Sequence, residues 1–140
     1  MFKHRLQILQ NAAARMVLRL PKYSHITEIL YGLHCLPVKA RIKFKTLLFG
    51  FKCLHDEAPF NIKELLKIKP NSVRSARSND KNLLVVPHFR TKTYGERNFK
   101  NIAPIMWNSL PTALRLCTNI NTFKKDLKTF LFEEFYRVNF

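Results

Sequence analysis

The side chains best suited to binding a metal ion are the five histidines and three cysteines. His34 adjoins Cys35, and Cys53 lies two residues before His55. These four would form a chemically suitable Cys/His ligand set for zinc. Their spacing matches no standard zinc motif, however, and adjacent residues on a helix point about 100° apart. We therefore expect no metal or other cofactor, and we expect the cysteines to be free thiols in a reducing compartment.

Carboxylates that could hold the metal ions of a polymerase are scarce, with 9 acidic residues in the chain. The adjacent pairs are Asp56-Glu57 and Glu133-Glu134. Two-metal catalysis needs carboxylates held together around the ions. The first pair precedes Pro59, where we expect a helix to end, and the second lies on a predicted helix, so we interpret both as solvated charge. A nucleophile elbow and a glycine-rich phosphate loop are also missing, and the sequence predicts no enzyme.

Positive charge dominates the composition, because 25 Lys and Arg residues against 9 Asp and Glu residues give a net charge of +16. Such an excess repels itself, and a polyanionic partner would relieve the repulsion. Nucleic acid is the partner that this charge favours most. The alternatives are a solvated basic surface without a ligand and an acidic membrane surface. Apolar runs stay well short of the ~18 residues of a membrane helix, and we expect no membrane partner.

The basic residues are unevenly distributed, with 10 in residues 61–100 and 5 in residues 101–140. We expect a nucleic-acid-binding surface over a predicted third helix, a basic loop and a hairpin. Tyr94 lies among these cations and could stack on an exposed base, or it could pack beneath the hairpin. The candidate nucleic-acid-binding residues are Lys39, Arg41, Lys43, Lys45, Arg74, Arg77, Arg90, Lys92, Tyr94, Arg97 and Lys100.

These residues must be positioned by secondary structure. We predict a mainly α fold, with one small helical domain over residues 1–140 and one short β-hairpin. Ser24 is a candidate cap for a second helix, and Gly32 is suited to closing it. Pro104 suggests that a later helix starts there, and Asn121 or Thr122 is expected to cap the last one. The predicted segments are a first helix ending before Pro21, helices over 25–31, about 37–54 and about 62–68, a mobile basic loop over 69–82, a hairpin over roughly 84–97, a helix ending at Pro111, and a last helix.

Apolar residues recur at helical spacing in three of these segments. In the first helix we expect the stripe to pack on a core, although residues 1–27 carry no acidic residue and also resemble a mitochondrial presequence. Trp107 lies on another apolar face and is expected in the core. The three stripes are Leu6, Leu9, Ala13, Met16 and Leu20 in the first helix; Phe44, Leu47, Leu48, Phe51 and Leu54 in the third; and Phe123, Leu127, Phe130, Leu131, Phe135 and Val138 in the last.

Long stretches of the chain resemble the tail of LINE-type non-LTR retrotransposon reverse transcriptases, most closely the jockey and chicken-repeat group. The similarity runs in order along nearly the whole chain. It is carried by LQNAAARMVLRLPKYSHITEIL (9–30), LHCLPVKARIKFKTLLFGFKCLHDEAPF (33–60), LLVVPHFRTKTYGERNFKNIAPIMWNSLP (83–111) and FKKDLKTFLF (123–132).

This resemblance implies a thumb or C-terminal region that follows the polymerase palm and grips template RNA, primer or target DNA. An upstream reverse transcriptase domain, where encoded, would be a partner, and the location would be nuclear or cytoplasmic. The family's paired aspartates and endonuclease residues are missing, and Cys35, Asp56-Glu57 and His88 depart from its usual residues. The alternatives are a structural brace or relic of the polymerase without independent activity, and a basic mitochondrial protein.

Overall fold

The computed structural model describes residues 2–70, 82–88, 91, 95 and 98–137. These residues are mainly helical, which confirms the predicted class. Residues 71–81 of the loop predicted over 69–82, and much of the predicted hairpin, lie outside the described residues. In chain order the helices are α1 (Phe2–Val17), α2 (Ile26–Gly32), α3 (Val38–Leu54), α4 (Phe60–Lys63), α5 (Phe99–Asn108), α6 (Thr112–Arg115) and α7 (Ile120–Arg137).

The chain divides into two compact units of internal contacts. Unit 1 comprises Met1–Phe44 with Lys128–Phe140, and unit 2 comprises Lys45–Leu127. The boundaries fall within α3 and α7, so each of these long helices contributes a part to both units. A single domain over residues 1–140 stays a prediction.

The core of unit 1 joins α1 and α2 to the end of α7. Ala14, Ile29, Leu30 and Tyr136 are buried together. The phenol of Tyr136 donates a hydrogen bond of 2.8 Å to the carbonyl oxygen of Cys35, which satisfies its one polar atom. Because Ala14 is the residue of α1 in this core, the predicted apolar stripe of that helix does not supply the contact.

The prediction that the apolar stripe of α1 packs on a core is wrong. Leu6, Leu9 and Met16 are 49%, 66% and 78% exposed. The inward face instead carries Gln7, whose Oε1 accepts a 2.9 Å bond from the amide of Val38, and Gln10, whose Nε2 donates 2.9 Å to the carbonyl of Leu36.

The physical reason lies in the backbone between α2 and α3. The first amides of a helix have no intrahelical acceptor, and Val38 is the first residue of α3. Polar backbone groups that pack against a neighbouring helix need partners. Side-chain amides satisfy them where leucine could not, so the polar face of α1 turns inward.

Unit 2 is built around three aromatic rings that pack together. Phe51 of α3 stacks on Phe123 of α7 with ring centroids 4.4 Å apart, and Trp107 of α5 lies 5.9 Å from Phe123. All three are at most 1% exposed, which confirms Trp107 as a core residue. Leu47, Leu127 and the other buried residues of these helices follow the predicted 3.6-residue period.

At the start of the predicted hairpin, the described residues show an isolated antiparallel bridge between Ile68 and Leu84 and no hairpin. On its other side Leu84 meets a side chain instead of a strand. Its amide donates 2.8 Å to Oδ1 of Asn108, and its carbonyl accepts 2.9 Å from Nδ2 of the same residue. The carboxamide therefore occupies the position where a second strand would have paired.

Most helix ends differ from the predicted ones by one to five residues, while α3 ends at Leu54 as predicted. The N-cap of α2 is His25 and makes no side-chain bond, while the carbonyl of Ser24 accepts from Arg15 instead. Gly32 remains helical, and the left-handed residue after α2 is His34 with φ 49°. Near α7, Oδ1 of Asn119 accepts from the amide of Asn121 at 2.8 Å, two residues before the first predicted cap.

The helix containing Pro104 begins earlier than predicted, at Phe99. Asn98 caps it, since its side chain accepts a bond from the amide of Lys100. Pro104 lies inside the helix and is buried. A capped start and burial against the core therefore outweigh the single backbone hydrogen bond that proline removes.

Candidate nucleic-acid interface

The cations of α3 are held on a long helix whose apolar side is buried in the core. Lys39, Arg41 and Lys45 are exposed. Within the described residues these three form no ion pair. Arg41 and Lys45 are four residues apart, which places them on one side of α3 about 6 Å apart along its axis. They are suited to contacting successive phosphates of a nucleic-acid backbone.

Lys43 is the exception among the candidate residues of α3. Its ammonium lies 2.8 Å and 2.9 Å from the two carboxylate oxygens of Glu134, and its side chain is 23% exposed. The carboxylate neutralises this cation, and the pair must separate before Lys43 can bind a phosphate. Sequence spacing could not reveal this pair, because the two residues are 91 positions apart in the chain.

Lys100 is exposed in the first turn of α5. The positive end of a helix dipole favours anions over cations, so this lysine gains nothing from its own helix. A phosphate at this position would meet the lysine, whereas the amides of Lys100 and Asn101 are already bonded to Asn98.

Six of the eleven candidate residues lie outside the described residues. The structure therefore neither gathers them into one surface nor separates them. They are Arg74, Arg77, Arg90, Lys92, Tyr94 and Arg97.

Several other basic residues are engaged in holding the fold, which the charge count alone could not show. Arg115 is 5% exposed, and its Nε donates 3.1 Å to the carbonyl of Leu110. The guanidinium of Arg15 donates to the carbonyl of Ser24, and Lys63 forms an ion pair with Asp56. Fewer basic side chains are therefore available to contact a polyanion than the total of 25 Lys and Arg residues.

The four candidate zinc ligands lie at helix ends or in the core: His34 and Cys35 follow α2, Cys53 is buried in α3, and His55 follows α3. Nδ1 of His55 lies 3.0 Å from the carbonyl oxygen of Phe51, and its ring stacks on that phenylalanine at 3.9 Å. His34 is exposed, and its Nδ1 lies 3.2 Å from the carbonyl oxygen of Tyr31. Burial raises the pKa of the Cys53 thiol, which disfavours the reactive thiolate. Across the described ranges, no three His, Cys, Asp or Glu side chains form a group that could hold a metal ion.

Neither the search for membrane-spanning helices nor the comparison with known proteins assigns a function to the chain. In the part of the chain that the structure describes, no helix has both the length and the apolar character required to cross a membrane. Compared with protein-family models, with curated proteins and with solved structures, the chain has no match.

Proposed function

We propose that this chain is a non-catalytic nucleic-acid-binding module that contacts phosphates through exposed lysine and arginine side chains. The observation that carries the proposal is the net charge of +16 on a chain that also builds a buried core. A folded protein that keeps this much unbalanced charge is stabilised by a polyanion.

Helix α3 supports the proposal most directly. Lys39, Arg41 and Lys45 are exposed on one continuous helix, so their spacing along it follows from helical geometry. Phosphate contacts of this kind determine affinity and position but carry no base information. Binding is therefore weakly sequence-specific and depends steeply on salt.

The similarity to the tail of LINE-type reverse transcriptases agrees with this function. It suggests template RNA or target DNA as the nucleic acid, with the chemistry residing in an upstream polymerase. The basic residues at 74–97 would add contacts to those of α3, with Tyr94 available for stacking on a base.

Fluorescence anisotropy with a labelled RNA hairpin, single-stranded DNA and duplex DNA tests the proposal over about 50 to 300 mM salt. Arg41→Gln with Lys45→Gln should lower the slope of log affinity against log salt by about 1 to 2. The matched control is Lys43→Gln with Lys63→Gln, which removes the same charge from two ion-paired lysines. This control should change the slope less.

The cations beyond α3 are tested in the same assay with Arg74→Ala, Arg77→Ala and Lys92→Ala. A slope that none of these variants changes would move the interface to another part of the chain. Absence of binding to all three nucleic acids near 50 mM salt would overturn the proposal and favour a structural role.

A further inference from the structure

Helix α1 exposes a continuous apolar face that the rest of unit 1 leaves uncovered. Phe2, Leu6, Leu9 and Met16 are 81%, 49%, 66% and 78% exposed, and Ala13 between them is exposed as well. Because the amide face of α1 is hydrogen-bonded to Leu36 and Val38, rotating the helix to bury these side chains would break those bonds. The exposed face is therefore fixed by the fold.

The spacing of these residues is that of a coiled-coil seam. The steps from Phe2 to Leu6, Leu9, Ala13 and Met16 are four, three, four and three residues. This alternation is the a/d repeat through which two helices interlock side chains. The helix of 16 residues provides about 24 Å of such a seam.

A groove beside the seam could receive a side chain of a partner helix. Ile8 and Met16 lie one turn on either side of Ala12, so the small alanine leaves a depression between two larger residues. The groove has a volume of about 450 Å³ and continues to Leu20. Asn11, Arg15 and Lys22 complete its lining, so an apolar side chain in the groove would lie close to two cations.

The charges around the seam determine what can occupy it. Lys3 and Arg5 flank it at the positions where coiled coils form interhelical salt bridges. Residues 1–27 contain no acidic side chain. A second copy of α1 would bring like charges together without a carboxylate to compensate them.

We propose that α1 is the docking surface for an amphipathic α-helix of another protein segment, with an aliphatic anchor and glutamate or aspartate residues along the edges of its apolar seam. The anchor enters the groove at Ala12, and the carboxylates pair with Lys3, Arg5 and Lys22. A lipid surface is the alternative occupant of the apolar face, and the groove-filling variant Ala12→Phe below distinguishes it from a helix. This docking is independent of the proposed nucleic-acid binding.

The probe is a synthetic helical peptide of about three heptads with Leu at a and d and Glu at e and g. Isothermal titration with the full chain should detect binding. Leu9→Gln and Met16→Gln should each weaken it about tenfold or more, because each removes an apolar contact made only in the complex. Phe60→Ser is the matched control, since Phe60 is 70% exposed on α4 and lies in unit 2.

Two further peptides separate shape from charge. A peptide with Gln at a and d and the same glutamates should bind far more weakly, and one with Lys at e and g should not bind. Equal binding of the first peptide and the Leu-containing probe, or full binding by Leu9→Gln, would overturn the proposal.

The other occupants are tested with Ala12→Phe, which fills the groove. Helix docking should weaken in this variant, whereas binding to phosphatidylserine vesicles would strengthen because the apolar area grows. Strengthened vesicle binding without peptide binding would assign the face to a membrane and overturn the proposal. Sedimentation that shows a dimer lost in Leu9→Gln would assign it to a second copy, with the same consequence.

Discussion

Asn108 shows how a single side chain can replace an element of secondary structure. Its carboxamide pairs with both backbone groups of Leu84, while Nε1 of the adjacent Trp107 donates 2.8 Å to the carbonyl of Asn82. Leu84 is 2% exposed, so its polar backbone atoms have little access to water. These bonds attach the segment around Leu84 to α5.

Replacing Asn108 by Leu should destabilise the chain by about 2 to 4 kcal/mol, because it leaves a buried amide and a buried carbonyl without partners. Urea unfolding followed by circular dichroism measures the change. Ser109→Ala is the neighbouring control, since that exposed hydroxyl bonds only to the carbonyl of Met106 and should cost less than about 1 kcal/mol. Similar losses in both variants would contradict the role assigned to the carboxamide.

Cys53 makes stability sensitive to alkaline pH. Burial raises the pKa of its thiol, so the folded chain retains the proton at a pH where the unfolded chain has lost it. Its contribution to stability is therefore complete below the ordinary thiol pKa of about 9.0 and is lost as pH rises through the higher folded pKa.

The free energy of unfolding should fall above about pH 9, with Cys53 contributing up to about 1.4 kcal/mol per pH unit within that window. Cys53→Ala should be less stable at neutral pH because it leaves a cavity, but its pH dependence should be shallower. Urea titrations at intervals from pH 8 to about 10.5 provide the comparison. An unchanged slope in Cys53→Ala would show that other groups cause the effect.

At the scale of elements, α1 shows that an apolar period identifies a helix without identifying its buried side. The spacing of Leu6, Leu9, Ala13 and Met16 correctly indicates a helix, yet the side facing unit 1 carries Gln7 and Gln10. The side that faces inward is set by the backbone groups of the α2–α3 connection, which need hydrogen-bond partners.

Gln7→Leu and Leu9→Gln should affect stability in the order opposite to that expected from hydrophobic patterning. Gln7→Leu removes the acceptor of the Val38 amide and should cost about 1 to 3 kcal/mol. Leu9→Gln changes an exposed side chain and should stay within about 0.5 kcal/mol of the parent. Thermal and urea unfolding compare the two, and a larger loss for Leu9→Gln would mean that the seam is buried within this chain.

For the whole molecule, the dominant long-range effect is repulsion among 25 basic residues that 9 acidic residues only partly offset. Salt screens exposed charges over about 10 Å at 0.1 M. Screening should therefore favour the folded chain while weakening its association with a polyanion.

The free energy of unfolding should rise as sodium chloride increases from about 0.05 to 0.5 M, while affinity for nucleic acid falls over the same range. Lys39→Gln with Lys45→Gln removes two exposed charges and should reduce the rise in stability. Measuring both quantities on the same samples separates self-repulsion from binding. A steady loss of stability with salt would contradict this account.

The amino-acid sequence alone predicts the helical class, the extent of α3, and the burial of Leu47, Phe51, Trp107 and Phe123. These follow from local periodicity and proline positions, which a linear pattern records directly. It also determined the basic balance of the chain, because charge is a property of composition. Charged side chains without a partner stay in solvent, so the exposure of Lys39, Arg41 and Lys45 follows from residue type as well.

The partner of each polar or charged group is known only from the folded structure. The pairing of Lys43 with Glu134, the carboxamide of Asn108 against Leu84, and the inward turn of Gln7 join residues 24 to 91 positions apart. No local pattern encodes such pairs, because they form wherever the folded chain brings an unsatisfied backbone group or charge beside a suitable side chain. The apolar seam of α1 faces outward because Gln7 and Gln10, on the polar face of the helix, are bonded to the α2–α3 connection.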